Sequence, residues 1–401
     1  FEAWLENNYQ KINDQGQKIG PVTTGELDRC MHRGYPADKV VLDMMREIHR
    51  YFEFPKQNKM AVGLGGGHSG FTVAVLHLMN TESGFNVFVD TPRPESVSAK
   101  HGGAFRQSWG VQLIELQKYA ENGDESRIHF NSREGHIPSA DELQKLGIKL
   151  FVGVGHETTG ATTYAEEDVR NLLEWIELDP VNHHAVIDAT STLGAMPWSE
   201  DIVQQVVGKC SLFMPFQKAI GGTAGYFIVS FTPEALALVE KNVNNPAWAI
   251  PRQLKLALPA DGQLPISGKK SLASGPFYDP AKEQMIGGII NTFSTIAFAE
   301  TTFGLLNSEK KVGSVRELNK RSIVNRAEVE QWVADHPLFA LGVEDSSRRG
   351  AAVTLLKVND ADVNDAEQHA RIIAKTKQLL GFEGLTHPNG DYERGLDVAR
   401  Y

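Results

Sequence analysis

Cysteine is scarce in this chain of 401 residues, with only Cys30 and Cys210 present. Two thiols cannot build a disulfide framework, so a reducing compartment is the simplest setting and a cytoplasmic location is expected. Positive charge is not in excess. The formal net charge is -10, which argues against a nucleic-acid partner while leaving room for a local basic pocket. No apolar run approaches the length of a membrane span, so no membrane partner is expected. The opening Phe1-Glu-Ala-Trp-Leu lacks the basic-then-apolar pattern of a secretory signal. It also lacks an initiating Met, and a natural chain that begins further upstream is expected. Internal repeats and low-complexity tracts are absent, and no metal site is expected.

What is present suits a large folded interior. Hydrophobic residues make up 41% and charged residues 22%, ordinary values for a soluble enzyme. The length suits two domains. Short apolar runs at 59–65, 85–90, 111–116, 150–155, 183–190, 211–216 and 225–231 predict about seven strands. Helical patterns lie between most of them, as at 71–79, 165–177 and 200–207. That alternation predicts an α/β fold with a mostly parallel sheet. Only a glycine-rich turn separates the last two runs, so the last strand is expected to run antiparallel. Residues 242–280 read as a long irregular excursion. Helices are expected over 285–306 and 315–336, then a strand at 351–358 and a helix at 365–380. The expected division is a large domain over 35–300, with 1–34 and 301–401 forming a smaller α+β domain.

Three strand ends carry chemistry. Gly65-Gly-Gly-His-Ser-Gly70 follows a strand and opens a helix, with Asp90 at the end of the next strand. This satisfies the dinucleotide fingerprint. The physics is more general, because bare amides at a helix N-terminus hold any phosphate. A phosphorylated cofactor, a nicotinamide dinucleotide and an unliganded turn all remain open here. Gly66, Gly67, His68 and Ser69 are the candidate phosphate contacts. Asp188 ends the run His184-Ala-Val-Ile-Asp, where a carboxylate faces the usual crevice of an α/β sheet. It can hold a protonated ring nitrogen, bind a metal or cap a helix. Thr158, in His156-Glu-Thr-Thr-Gly-Ala161, is a hydrogen-bond donor or a turn residue.

Lys218 follows Phe216 and Gln217 at the end of the next run and precedes a string of small residues. A lysine at the rim of a core, with space for a flat cofactor, can form a Schiff base. Asp188 and Lys218 stand one βαβ step apart, so both face one crevice. Together with the glycine loop they are far more specific than any one of them.

Asp188-Ala-Thr-Ser-Thr, Phe216-Gln-Lys and His156-Glu-Thr-Thr-Gly resemble class V aminotransferases of the fold type I pyridoxal phosphate superfamily. Within it the chain is most similar to the phosphoserine aminotransferase branch. The Gln-Lys-x-x-Gly-Gly run, the Gly65-Gly-Gly loop with Phe71, Ile290-Asn-Thr and Met31-His-Arg33 carry that likeness. The resemblance implies pyridoxal 5'-phosphate as cofactor, with Lys218 as its Schiff-base lysine and proton carrier and Asp188 on the pyridine nitrogen. It implies Thr158 and Gln217 on the ring-oxygen side and Gly67, His68 and Ser69 in the phosphate loop. Asn291 and Thr292 would reach the phosphate from a neighbouring subunit, which implies a homodimer. His32 and Arg33 would bind the substrate's distal anion, and Arg394, paired with His387, its α-carboxylate. As plain sequence, 32–33 also read as a solvated basic pair and Arg394 as a loop arginine.

The chain departs from that family at named places. His68 and Pro388 stand where the family has arginine, which reduces the positive charge offered to a phosphorylated substrate. No aromatic follows Asp90 to stack on the cofactor, leaving Phe105 or Trp109 to serve from further along. Tyr401 follows soon after Arg394, without the family's closing helix. The expected activity is transamination of a small anionic amino acid, with 2-oxoglutarate as acceptor. A lyase or desulfurase, a dehydrogenase built on 65–90 and a non-catalytic ligand-binding relative are the alternatives.

Overall fold

The computed structural model describes every residue except 14, 30–34, 80–83, 94–103, 118–126, 134, 244, 246–247, 249, 252–253, 257–271, 274–276, 287, 290–292, 360–365, 380–397 and 401. Its centre is a nine-stranded sheet. In space the strands run Gln284–Ile286, Phe277–Asp279, Lys59–Leu64, Tyr226–Phe231, Ser211–Pro215, His184–Asp188, Ile148–Val154, Asn86–Val89 and Ile128–Phe130. The last five of these are mutually parallel. Tyr226–Phe231 runs antiparallel to both of its neighbours, as its glycine-rich connection predicts.

The parallel strands are apolar on both faces because helices cover both. His184–Asp188, Ser211–Pro215 and Tyr226–Phe231 are buried at every position. Alternate residues feed two separate cores. Phe151, Ile187, Leu212 and Ile228 face one, with helices Ala37–Tyr51, Glu166–Leu178 and Glu200–Lys209. Val152, Val186, Phe213 and Val229 face the other, with helices Gly67–Leu78 and Ala104–Gln117. Gly63 sits mid-strand because the Phe227 ring lies against it, and any side chain there would overlap that ring.

Beyond the sheet, Ser294 and Ser314 cap two long helices, Thr295–Val312 and Val315–Ala334, by accepting from the amides of Ala297 and Glu317. Arg50 clamps the first of these through a bidentate pair with Glu309, at 2.5 and 2.7 Å. A three-stranded sheet of Phe339–Leu341, Leu355–Val358 and Val398–Arg400 stands apart from the central one.

Three expectations need correction. Residues 111–116 are helical, inside Ala104–Gln117. Their apolar positions, with Trp109, follow helical spacing, and Trp109, Leu113 and Leu116 are the ones buried. The helix expected over 285–306 begins only at Thr295, since Gln284–Ile286 joins the sheet edge. The strand expected over 351–358 is confined to Leu355–Val358.

Candidate functional site

The C-terminal ends of the parallel strands gather the predicted chemistry on one edge. The sheet register pairs Phe213 with Asp188, so the chain leaving Pro215 toward Lys218 starts beside that carboxylate. Residues Phe216–Ile220 form a single π-helical turn, broken at Lys218, whose backbone (φ -120, ψ -115) is not helical. Such turns recur at functional sites. Gln217 and Lys218 are exposed; Lys218 O accepts from Gly221 N at 2.9 Å, while its amine makes no hydrogen bond or ion pair with the described residues. Gly221 and Gly225 take positive φ, 74° and 98°, and let the chain double back into the antiparallel strand. There Gly225 O accepts from Gly65 N at 2.7 Å. That bond ties the lysine segment to the glycine loop.

Gly65 turns the loop with φ 119°, and Gly66 caps helix Gly67–Leu78. The first amide bonded along this helix is Gly70 N, on Gly66 O at 3.1 Å. The amides of Gly67, His68 and Ser69 therefore point outward, as helix-terminal amides do. Space is open at Gly66, where an added Cβ would meet nothing within 4 Å. His68 is exposed and its Nδ1 lies 3.3 Å from Gln112 Oε1.

Asp188 is 5% exposed. Its Oδ1 accepts from Thr190 N at 2.9 Å and from Thr190 Oγ1. Its Oδ2 accepts from Trp109 Nε1 at 3.1 Å. Burial pushes its pKa up to about 6, the Thr190 and Trp109 hydrogen bonds pull it down, and the nearby Glu157 charge raises it again. Thr158 is half-buried in the turn of the hairpin His156–Glu157/Thr162–Thr163. The hairpin starts beside the site, since Gly155 N donates to Asp188 O at 3.0 Å.

The structure thus brings Gly66, Gly67, His68, Ser69, Thr158, Asp188, Gln217 and Lys218 to one edge. His32, Arg33, Asn291, Thr292, His387 and Arg394 lie outside the described residues. Two participants went unrecognised in the sequence. Thr190 follows Asp188 by two residues, the spacing of an Asx-type turn, so the signal was present. Trp109 reads in the sequence only as a stacking ring, and nothing in the linear sequence marks its bond to Asp188.

The fingerprint reading of 65–90 fails at Asp90. That carboxylate is 1% exposed and already accepts from Asn131 Nδ2 (2.7 Å), Gly135 N (2.9 Å) and the Tyr164 hydroxyl (2.7 Å). It is enclosed by the scaffold and cannot reach a ribose. Cys210 is equally unsuited to the nucleophilic role of a desulfurase, because burial pushes its thiol up to about 12.

From Lys59–Leu64 to Ile128–Phe130 the sheet holds seven strands of which only Tyr226–Phe231 is antiparallel, a mixed α/β fold shared with solved aminotransferases of fold type I. Solved structures bear this out. The chain is similar to a phosphoserine aminotransferase from Cytophaga hutchinsonii, at 12% identity and TM-score 0.58, covering 88% of this chain and 81% of that one. It is similar to an aspartate aminotransferase of subgroup IV from Thermus thermophilus, at 13% identity and TM-score 0.57, covering 92% and 85%. A pyridoxamine-pyruvate aminotransferase from Mesorhizobium loti matches at 12% identity and TM-score 0.58, covering 87% and 76%. No protein-family model and no curated protein sequence matches the chain. Among the described residues no helix is long and apolar enough to cross a membrane.

Proposed function

We propose that this chain is a pyridoxal phosphate-dependent aminotransferase, moving an amino group from a small anionic amino acid to a 2-oxo acid, with 2-oxoglutarate as the acceptor. One observation carries the reading. A glycine loop with outward amides, a buried strand-end carboxylate and an exposed lysine share one sheet edge. These residues fit that cofactor. The loop amides suit its phosphate, Asp188 suits a protonated ring nitrogen, and Lys218 suits its aldehyde. When bound, the cofactor supplies an electron sink for the substrate's α-carbon.

Each residue then has a task. Asp188, with Oδ1 fixed by Thr190, holds a positive charge at the ring nitrogen. Lys218 would hold the cofactor through its Nζ and, once released, would carry the α-proton. Gly66, Gly67, His68 and Ser69 fix the phosphate end, and Thr158 and Gln217 orient the ring-oxygen side. Asn291 and Thr292 complete the phosphate site from a second subunit of a homodimer, while His32, Arg33, His387 and Arg394 hold the substrate's anionic groups. The large domain over 35–300 bears the cofactor; 1–34 and 301–401 form the smaller one, which the separate three-stranded sheet supports. The setting is cytoplasmic. His68 and Pro388 in place of arginines favour a carboxylate over a phosphate on the substrate.

The experiment is a donor screen. Purified protein, pyridoxal phosphate and 2-oxoglutarate are incubated with single amino acids, and glutamate is measured alongside ammonia and sulfide. Glutamate formation from an acidic donor supports the reading. Ammonia or sulfide without glutamate replaces it with a lyase or a desulfurase.

A further inference from the structure

Trp109 lies between Asp188 and the glycine loop. Its indole ring stacks on Phe71, with centroids 4.6 Å apart and planes at 7°. It meets His68 and Phe213 edge-on, at 4.8 and 5.8 Å. At one end Nε1 donates to Asp188 Oδ2 at 3.1 Å. At the other end Cη2 lies 4.0 Å from where a Cβ on Gly67 would be, with Pro215 Cγ 3.9 Å from the same point. The indole therefore runs from the carboxylate to the glycine loop. A pyridine ring with its nitrogen on Asp188 and its phosphate on the loop amides must cover the same span. Trp109 is 3% exposed, so neither face of the ring is open, and a flat guest cannot be laid on it without moving it or its neighbours.

We propose that Trp109 is an internal competitor of the cofactor: its indole N–H takes the Asp188 acceptor, and the incoming ring nitrogen must displace it. This inference rests on the cofactor reading above. The exchange is balanced in hydrogen bonds, because one N–H donor to Oδ2 replaces another. Nothing else is balanced. The indole leaves the Phe71 stack and its enclosure between Phe213 and the glycine loop, and it must find a new resting place. Only the fraction of chains with the indole already displaced accepts cofactor, so apparent affinity and loading rate fall by that fraction. Asp188 is meanwhile spared the cost of a buried acceptor lacking a donor. Tight self-occupation would keep a buried carboxylate satisfied between synthesis and loading.

The test follows the indole N–H of Trp109 by nuclear magnetic resonance in protein stripped of cofactor and then given pyridoxal 5'-phosphate. Six tryptophans give six indole signals. One should be shifted downfield and protected from hydrogen exchange in the stripped protein, and loading should move it and remove that protection. Trp109→Phe keeps a ring on Phe71 but removes the donor. It should take up the cofactor about tenfold faster, the scale set by one hydrogen bond to a charged acceptor. Loading of the wild-type chain with all six signals unmoved, or a Trp109→Phe chain that loads no faster, overturns the inference and leaves the cofactor reading standing. If neither chain takes up pyridoxal phosphate, both fall. The wild-type signal decides even if the variant fails to fold.

Discussion

Asp90 and Asp188 lie at the C-terminal ends of two strands in one sheet, and both are buried. They do different work. Asp90 gathers donors from distant segments: Asn131 and Gly135 from one loop, Tyr164 from beyond the hairpin. It knots the scaffold. Asp188 takes two donors from its own neighbour, Thr190, and one from Trp109. Its local donors fix its direction, and its third donor can be exchanged. A strand-end carboxylate is therefore not a site by position alone. It becomes one where its partners leave an acceptor that a ligand can take over.

The largest effect is expected at Lys218, which shares the edge with Asp188. Lys218→Ala should abolish the visible absorption band given by added pyridoxal phosphate and cut glutamate formation by on the order of 1,000-fold or more. Retained absorption and turnover would separate Asp188 from any chemistry. Next comes Asp90→Ala, which removes the acceptor of two buried donors, Gly135 N and the Tyr164 hydroxyl, and should destabilise the fold by about 3 kcal/mol, read from the denaturant midpoint. If it instead abolished cofactor binding while the fold stayed intact, the two aspartates would have to exchange roles.

Asp188→Asn sharpens the contrast through pH. The folded pKa of Asp188 is raised from 3.8 to about 6, so the folded state binds more protons than the unfolded state between these values. Asp188 therefore costs stability progressively as pH rises from about 4 to 6, and the full penalty remains above 6. Compared with Asp188→Asn, stripped wild-type protein should lose on the order of 3 kcal/mol of stability across that window. Parallel pH profiles would show that Asp188 does not titrate there. The smallest effect is expected from Tyr164→Phe. It removes the hydroxyl between Asp90 and Val154 N and should cost about 1 kcal/mol with cofactor loading unchanged.

Much of this was legible in the residues. Runs such as His184–Asp188 and Ser211–Pro215 are apolar on both faces, and the antiparallel turn was marked by Gly221, Gly222 and Gly225. The glycine loop, Asp188 and Lys218 could be placed because strand ends share an edge once the sheet is parallel. Residues 111–116 misled because a short apolar run carries no period of its own. The helix showed only when Trp109 was joined to Leu113 and Leu116. The three-residue strands Ile128–Phe130 and Phe277–Asp279 are too short to announce themselves and are stabilised by their neighbours in the sheet. Asp90 deceived for a better reason. Its spacing matched a ribose-binding acid, but Asn131, Gly135 and Tyr164, which enclose it, are remote in sequence and meet it only in the fold.

The cofactor's point of attachment can be located chemically. Protein given one equivalent of pyridoxal 5'-phosphate is reduced with borohydride and digested, and the modified peptide is sequenced by mass spectrometry. A single adduct per chain on Lys218 is expected, lost when Asp188 is replaced by Ala. Adducts scattered over surface lysines, with Lys218 unmodified, would contradict the account.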